Sequence, residues 1–135
     1  MLLTLLPLAL AGDPVLDALQ LEPRVEVLDN GLTLILHEDH RAPVVATSLI
    51  YKVGSAEDRP GRTGKAHLFE HLMFEGSANV GRSEHFQLVS RFGGQVNGTT
   101  SADRTNFYES LPAAQLELGL WLEADRMRSL MVNHH

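Results

Sequence analysis

The chain has 135 residues, 44% of them hydrophobic and 21% charged, with a net charge of −6 at neutral pH and a pI near 5.6. That length suffices for one domain with a modest core, and an acidic chain without a basic run is a poor candidate for nucleic-acid binding. The absence of cysteine excludes disulfides and a cysteine-rich zinc site, and leaves the redox compartment open.

In chain order, Met1 to Ala11 is an apolar run ending in Ala9-Leu10-Ala11, a small-x-small pattern before Gly12. Residues 1–11 therefore read as a signal-peptide remnant and predict export, periplasmic or extracellular, in a bacterial-type cell. The run is too short to span a bilayer, and no transmembrane segment is expected. It also lacks a basic flank, so a hydrophobic arm on a cytoplasmic protein is the competing reading. Residues 12–24 follow as a linker or arm. Arg24 to Leu28 and Leu32 to Glu38 alternate around Asp29-Asn30-Gly31, a strong hairpin turn signal. After Pro43, the β-rich run Val44 to Val53 predicts a long central strand. A loop, Gly54 to Arg62, leads to a helix that Thr63 could cap and Gly76 could stop. A second amphipathic helix is expected over about Ser83 to Phe92, ended by Gly93-Gly94. Gln95 to Thr100 and Thr105 to Leu111 predict another hairpin. Pro112 opens a long helix, about Ala113 to Leu130, with Ala113, Leu116, Leu120, Ala124, Met127 and Met131 on one face. The whole predicts an α+β fold, an antiparallel-type sheet packed with helices.

The helix after the loop carries His67-Leu68-Phe69-Glu70-His71. At about 100° per residue, these two histidines and the glutamate fall within roughly a third of the helix circumference. Imidazoles at i and i+4 can hold one Zn²⁺, and a glutamate between them can reach a water bound to it. The order His-x-x-Glu-His inverts the commoner His-Glu-x-x-His. Leu68, Leu72, Phe69, Met73 and Ala66 fill most of the remaining circle, which predicts a largely buried helix with its polar arc facing a cleft. His85 lies outside that arc. Two incidental surface histidines are the plain alternative, but a chance match in so short a chain is on the order of one in a hundred or less.

The segments RTGKAHLFEHLMFEGS, VNGTTSADRTNFYESLP and LWLEADRM, in that order, resemble the insulinase/pitrilysin family of zinc metallopeptidases, as does the opening VEVLDNGLTLILHEDHRAPVVA. The similarity runs from about Val25 to Met131 and identifies residues 25–135 as part of that family's first, N-terminal domain. It implies a zinc-dependent metalloendopeptidase with His67 and His71 as metal ligands and Glu70 as the general base. Asn97 then matches an asparagine on the strand lining the substrate cleft, where a peptide adds as an extra strand. From spacing alone, Asn97 reads equally well as a turn residue. Glu123, Asp125 and Arg126 match a structural helix segment of the family, although by themselves they suggest a charged, solvated face. The family's third zinc ligand is a glutamate about 75 residues after the second histidine, and only 64 residues follow His71. That glutamate is expected beyond residue 135, as is a second homologous half that closes over the site. A truncated domain is the expectation, with a non-catalytic assembly subunit or a bare metal-binding module as alternatives.

Overall fold

The computed structural model describes residues 23–132, in two units that divide between Arg41 and Ala42. The run 1–11, all but the last two residues of 12–24, and His134 and His135 lie outside the described residues. In the first unit, β1 (Arg24–Val27) and β2 (Thr33–Leu36) pair antiparallel, with Arg24 opposite Leu36 and Val27 opposite Thr33. The expected turn chemistry joins them. Gly31 takes a φ of 84°, which a side chain would resist, and the Asn30 carboxamide oxygen accepts a bond from the Leu32 N–H at 3.0 Å.

The second unit is an antiparallel three-stranded sheet with helices packed on it. Its strands are β3 (Val44–Tyr51), β4 (Gln95–Thr100) and β5 (Thr105–Pro112), in the order β3-β5-β4. The α+β expectation holds, and the hairpin, the long strand and the second hairpin are all present. Among the described residues, however, β3 stands at one side of this sheet and β5 takes the middle. An apolar run reads as a central strand because central strands are covered on both faces. Here β3 exposes every second residue, Val44 and Ile50 among them. In β5 the alternation is sharper: Thr105, Phe107, Glu109 and Leu111 are buried, and the residues between them face outward or are half-buried.

Three helices complete the unit: α1 (Lys65–Leu72), α2 (Glu84–Arg91) and α3 (Leu116–Ser129). α1 and α2 pack mainly on β4, and α3 packs on β3 and β5. The apolar core is Val80, Val89, Leu111 and Leu122, flanked by Val45, Leu88, Val96 and Leu118. A second tie fastens the loop after α1 to the end of α3. Asp125 accepts bonds from Ser77 Oγ at 2.5 Å and Asn79 Nδ2 at 2.7 Å. These bonds, the one from Ser77 foremost, hold the Asp125 carboxyl below its usual range. The tie is therefore at full strength above the ordinary aspartate pKa and weakens as the pH falls through the lowered value.

α3 inverts the expectation drawn from its periodicity. The stripe Leu116, Leu120, Met127 and Met131 is between 42% and 53% exposed, whereas Glu123, Asp125 and Arg126, which alone suggest a solvated face, are buried. What turns the helix this way is a charge network. The Arg126 guanidinium donates through Nη2 to both oxygens of Glu123 and lies over the rings of Phe107 and Phe74, 4.2 and 5.0 Å from their centroids. A desolvated cation between aromatic faces, neutralised by a carboxylate one turn away, is stable where either charge alone would be costly.

Arg126→Met should accordingly destabilise the second unit by about 3–5 kcal/mol, because it strands the Glu123 carboxylate in the interior. Adding Glu123→Gln should recover a substantial part of that loss. Denaturant melts of the wild type, the single variants and the double variant measure the coupling, and independent, additive effects would refute the pairing.

Candidate metal centre

The chain sets the helix of the histidine pair in place before α1 begins. After β3, the backbone of 54–56 docks on the β4–β5 turn, Ser55 N–H to Ser101 O at 2.9 Å and Ala56 N–H to Ala102 O at 2.8 Å. Only glycine fits at the start of this contact, since a Cβ on Gly54 would fall 2.3 Å from Ser101 O. Asp58, just beyond, then caps α1 from a distance. Its carboxylate accepts the N–H groups of Gly64 at 2.6 Å and of Lys65 and Ala66 at 3.2 Å each. Three of the four free N–H groups at a helix start are thereby satisfied, with negative charge at the positive end of the dipole. Thr63 does not cap the helix: residue 64 is a glycine at φ 89°, which turns the chain so that the more distant aspartate faces the helix end. Nor does Gly76 end it. α1 stops at Leu72, and bonds from Phe74 N to His71 O and Glu75 N to Leu72 O carry a tighter turn onward.

α1 is also less covered than its pattern predicts. Glu70 is its only buried residue, and Leu68 and Phe69 are more than half exposed. The helix lies with one narrow arc against β4, so its apolar back has no cover among the described residues. Glu70 points into that contact, where Thr100 Oγ1 donates to its Oε2. His67 and His71 sit at the rim, both exposed, with their Nε2 atoms 3.2 Å apart.

That separation is the deciding geometry for a metal. Two nitrogens bound to one zinc at about 2.0–2.1 Å with a tetrahedral angle stand roughly 3.3–3.4 Å apart. The imidazoles already hold that bite, one helical turn apart, on two exposed residues. The three residues of the motif share one arc, and the donor set suits zinc.

Asn97 lies inside β4, opposite Tyr108, and not in a turn, so the turn reading of Asn-Gly is set aside. Its side-chain oxygen accepts the Gly98 N–H at 2.8 Å, and the residue is exposed. It does not join Glu70. The residues of β4 that do are Gly98 and Thr100, two apart on one side of the strand.

A second cluster, His85, Glu109 and Glu123, is buried, with candidate ligand atoms within 4.8 Å of one another. His85 Nε2 and Glu109 Oε2 are 3.2 Å apart. Glu123 is already held by Arg126, whose positive charge would face any cation placed there. The cluster is a charge network of the core. Glu109 was legible in principle, since it falls in phase with Phe107 and Leu111 on β5. Nearby, burial raises the pKa of the Tyr51 hydroxyl; Glu123 adds to the rise and Arg126 opposes it.

Residues 33–131 match the model of the insulinase family, peptidase family M16. The chain belongs to that family. It is 36% identical over 104 residues to the zinc protease PqqE of Helicobacter pylori, covering 76% of this chain and 23% of that protein. It is 31% identical over 91 residues to human insulin-degrading enzyme, covering 67% of this chain and 9% of the human protein. A crystal structure of a protease from Helicobacter pylori superposes with a TM-score of 0.80 at 33% identity, covering 84% of this chain and 27% of that one. Pitrilysin superposes at 0.78 with 27% identity, covering 84% and 12% respectively. This chain thus spans about a quarter or less of these insulinase-family relatives, and the fold expected from the resemblance is the fold observed.

Zinc analysis by atomic absorption after dialysis checks the centre. In the protein completed with its downstream segment, His67→Ala and His71→Ala should each abolish stoichiometric zinc. His85→Gln, which keeps a hydrogen-bonding partner for Glu109, should retain it. Equal zinc in the wild type and the His67→Ala/His71→Ala double variant would refute the assignment.

Proposed function

We propose that this chain carries the ligand helix and general base of a zinc metalloendopeptidase. The observation that carries the reading is the 3.2 Å approach of the His67 and His71 Nε2 atoms on the helix that turns Glu70 toward β4. His67 and His71 would hold the ion, which when bound polarises a carbonyl oxygen and makes water acidic. Membership of a peptidase family, and two relatives named as zinc proteases, support the same assignment.

The chain's own residues then divide the remaining work. Glu70 takes a proton from the attacking water and returns it to the leaving amine. β4 offers the substrate a backbone to pair with, because its outer edge has no strand partner among the described residues. A peptide laid along that edge is recognised through main-chain hydrogen bonds and so with broad sequence tolerance. Asn97, exposed on β4, would contact such a peptide. A third protein ligand, a glutamate, and a second homologous half complete the proposal. The exposed apolar stripe on α3 supports it, since a face of this kind is what further polypeptide covers.

Glu70→Gln tests the base. It keeps the size and reach of the side chain but cannot accept the proton at neutral pH. In the protein completed with its downstream segment and second half, cleavage of an unstructured peptide should fall by at least about 10²–10⁴-fold with near-normal zinc. Full activity would refute the role, and loss of zinc together with activity would make Glu70 a ligand instead.

Export belongs to the same proposal and is supported by the run MLLTLLPLALA. With a few basic residues added upstream, residues 1–11 should carry a fused reporter out of the cytoplasm and leave Gly12 as the new N-terminus. A reporter that stays cytoplasmic and unprocessed would identify the run as a hydrophobic arm.

A further inference from the structure

We propose that Thr100 is a positioning residue for Glu70, fixing one carboxylate oxygen so that the other is presented to the proton it takes. The proposal rests on the reading of Glu70 as the base. Three observations carry it. Thr100 Oγ1 donates to Glu70 Oε2. Gly98, two residues earlier on the same side of β4, leaves bare backbone beneath the carboxylate. A Cβ there would come within 3.0 Å of Glu70 Cγ and 3.1 Å of Oε1. Finally, Glu70 is buried, and its Oε1 accepts no hydrogen bond among the described residues.

A glutamate side chain turns about three torsions, and an unheld carboxylate samples many orientations. Seating it on Gly98 and bonding it to a single donor selects one. β-branching makes Thr100 stiff at χ1, so its hydroxyl is itself well aimed. Both supports lie on one strand, and that strand's outer edge is where the peptide is proposed to lie. The base and the substrate are therefore registered to the same backbone. This is how positioning lowers a barrier: the orienting entropy is lost before reaction and not during it.

Thr100→Val keeps the shape and removes the donor; Thr100→Ser keeps the donor. In the completed protein, Thr100→Val should lower kcat by about tenfold to a hundredfold with KM and zinc content within about twofold of wild type, and Thr100→Ser should recover most of the loss. On a Glu70→Gln background, Thr100→Val should cost nothing further, because the two act as one unit. A second readout needs neither zinc nor activity. In the metal-free 135-residue chain, the Glu70 carboxyl ¹³C resonance should move in Thr100→Val and return in Thr100→Ser. An unmoved resonance, a wild-type kcat in Thr100→Val, or a Ser variant as slow as Val would overturn the proposal. A fully active Glu70→Gln would instead overturn the base on which it rests.

Discussion

The Arg126 guanidinium is the point on which the second unit turns. It lies over Phe107 of β5 and Phe74 beyond α1, and it is bonded to Glu123 one turn away on α3. Beside it, Phe74 meets the ring of His85 from α2 at 5.8 Å, and His85 in turn approaches Glu109 of β5. The turn after α1, the middle strand and α3 thus meet at one cation, and α2 joins them through His85. In a low-dielectric interior, buried charges raise the cost of any alternative packing, because moving one element strands the partner left behind. Apolar residues alone would tolerate several arrangements. The network favours one.

The consequence for the site is positional. Phe74, in the tighter turn that follows α1, is buried in the aromatic stack and anchors the end of the helix. Glu70 stands against β4, where Thr100 donates to it. His67 and His71 stand exposed at the rim. At the other end of the helix, Asp58 fixes the start of α1 through three backbone N–H groups. Held at both ends, the helix has little freedom to roll. A buried glutamate beside two exposed histidines is the result of packing as much as of the motif itself.

Much of this was legible in the sequence, and the misses share a cause. The Asp29-Asn30-Gly31 turn, the boundaries of α2 and the second hairpin follow from local chemistry, and local chemistry is what periodicity and turn residues report. The cap of α1 was missed because Asp58 is six residues from Gly64 and acts only once the 54–56 segment has docked on the β4–β5 turn. β3 was read as central because its apolar content counts both faces, while the order of strands is a long-range property. Arg126 and Glu123 looked solvated because no rule of spacing distinguishes a surface ion pair from one closed in by Phe74 and Phe107. The motif His67-Leu68-Phe69-Glu70-His71 was the exception, since its chemistry is confined to one turn of helix. Even there, the donor to Glu70 came from another element. Gly98 and Thr100 alternate correctly on a strand, but nothing local says which helix lies over them.

α3 shows how far a chain's pattern can exceed the structure that surrounds it. Its stripe of Leu116, Leu120 and Met127 satisfies every criterion of a core-facing surface, yet in this unit the opposite face is buried, with its polar residues. One face carries an internal charge network, and the other is apolar and exposed among the described residues. A helix with apolar residues on its outer face offers a surface for further packing. The relatives are larger, since this chain spans 23% of the Helicobacter pylori zinc protease and 9% of the human enzyme. On the proposed reading, a peptidase site at the edge of a sheet needs walls as well as ligands, because water must be excluded once substrate is bound. The cap at Asp58 and the anchor at Phe74 hold His67, Glu70 and His71 in place. On that same proposed reading, the exposed stripe of α3 is a surface on which such a wall can be added without disturbing them.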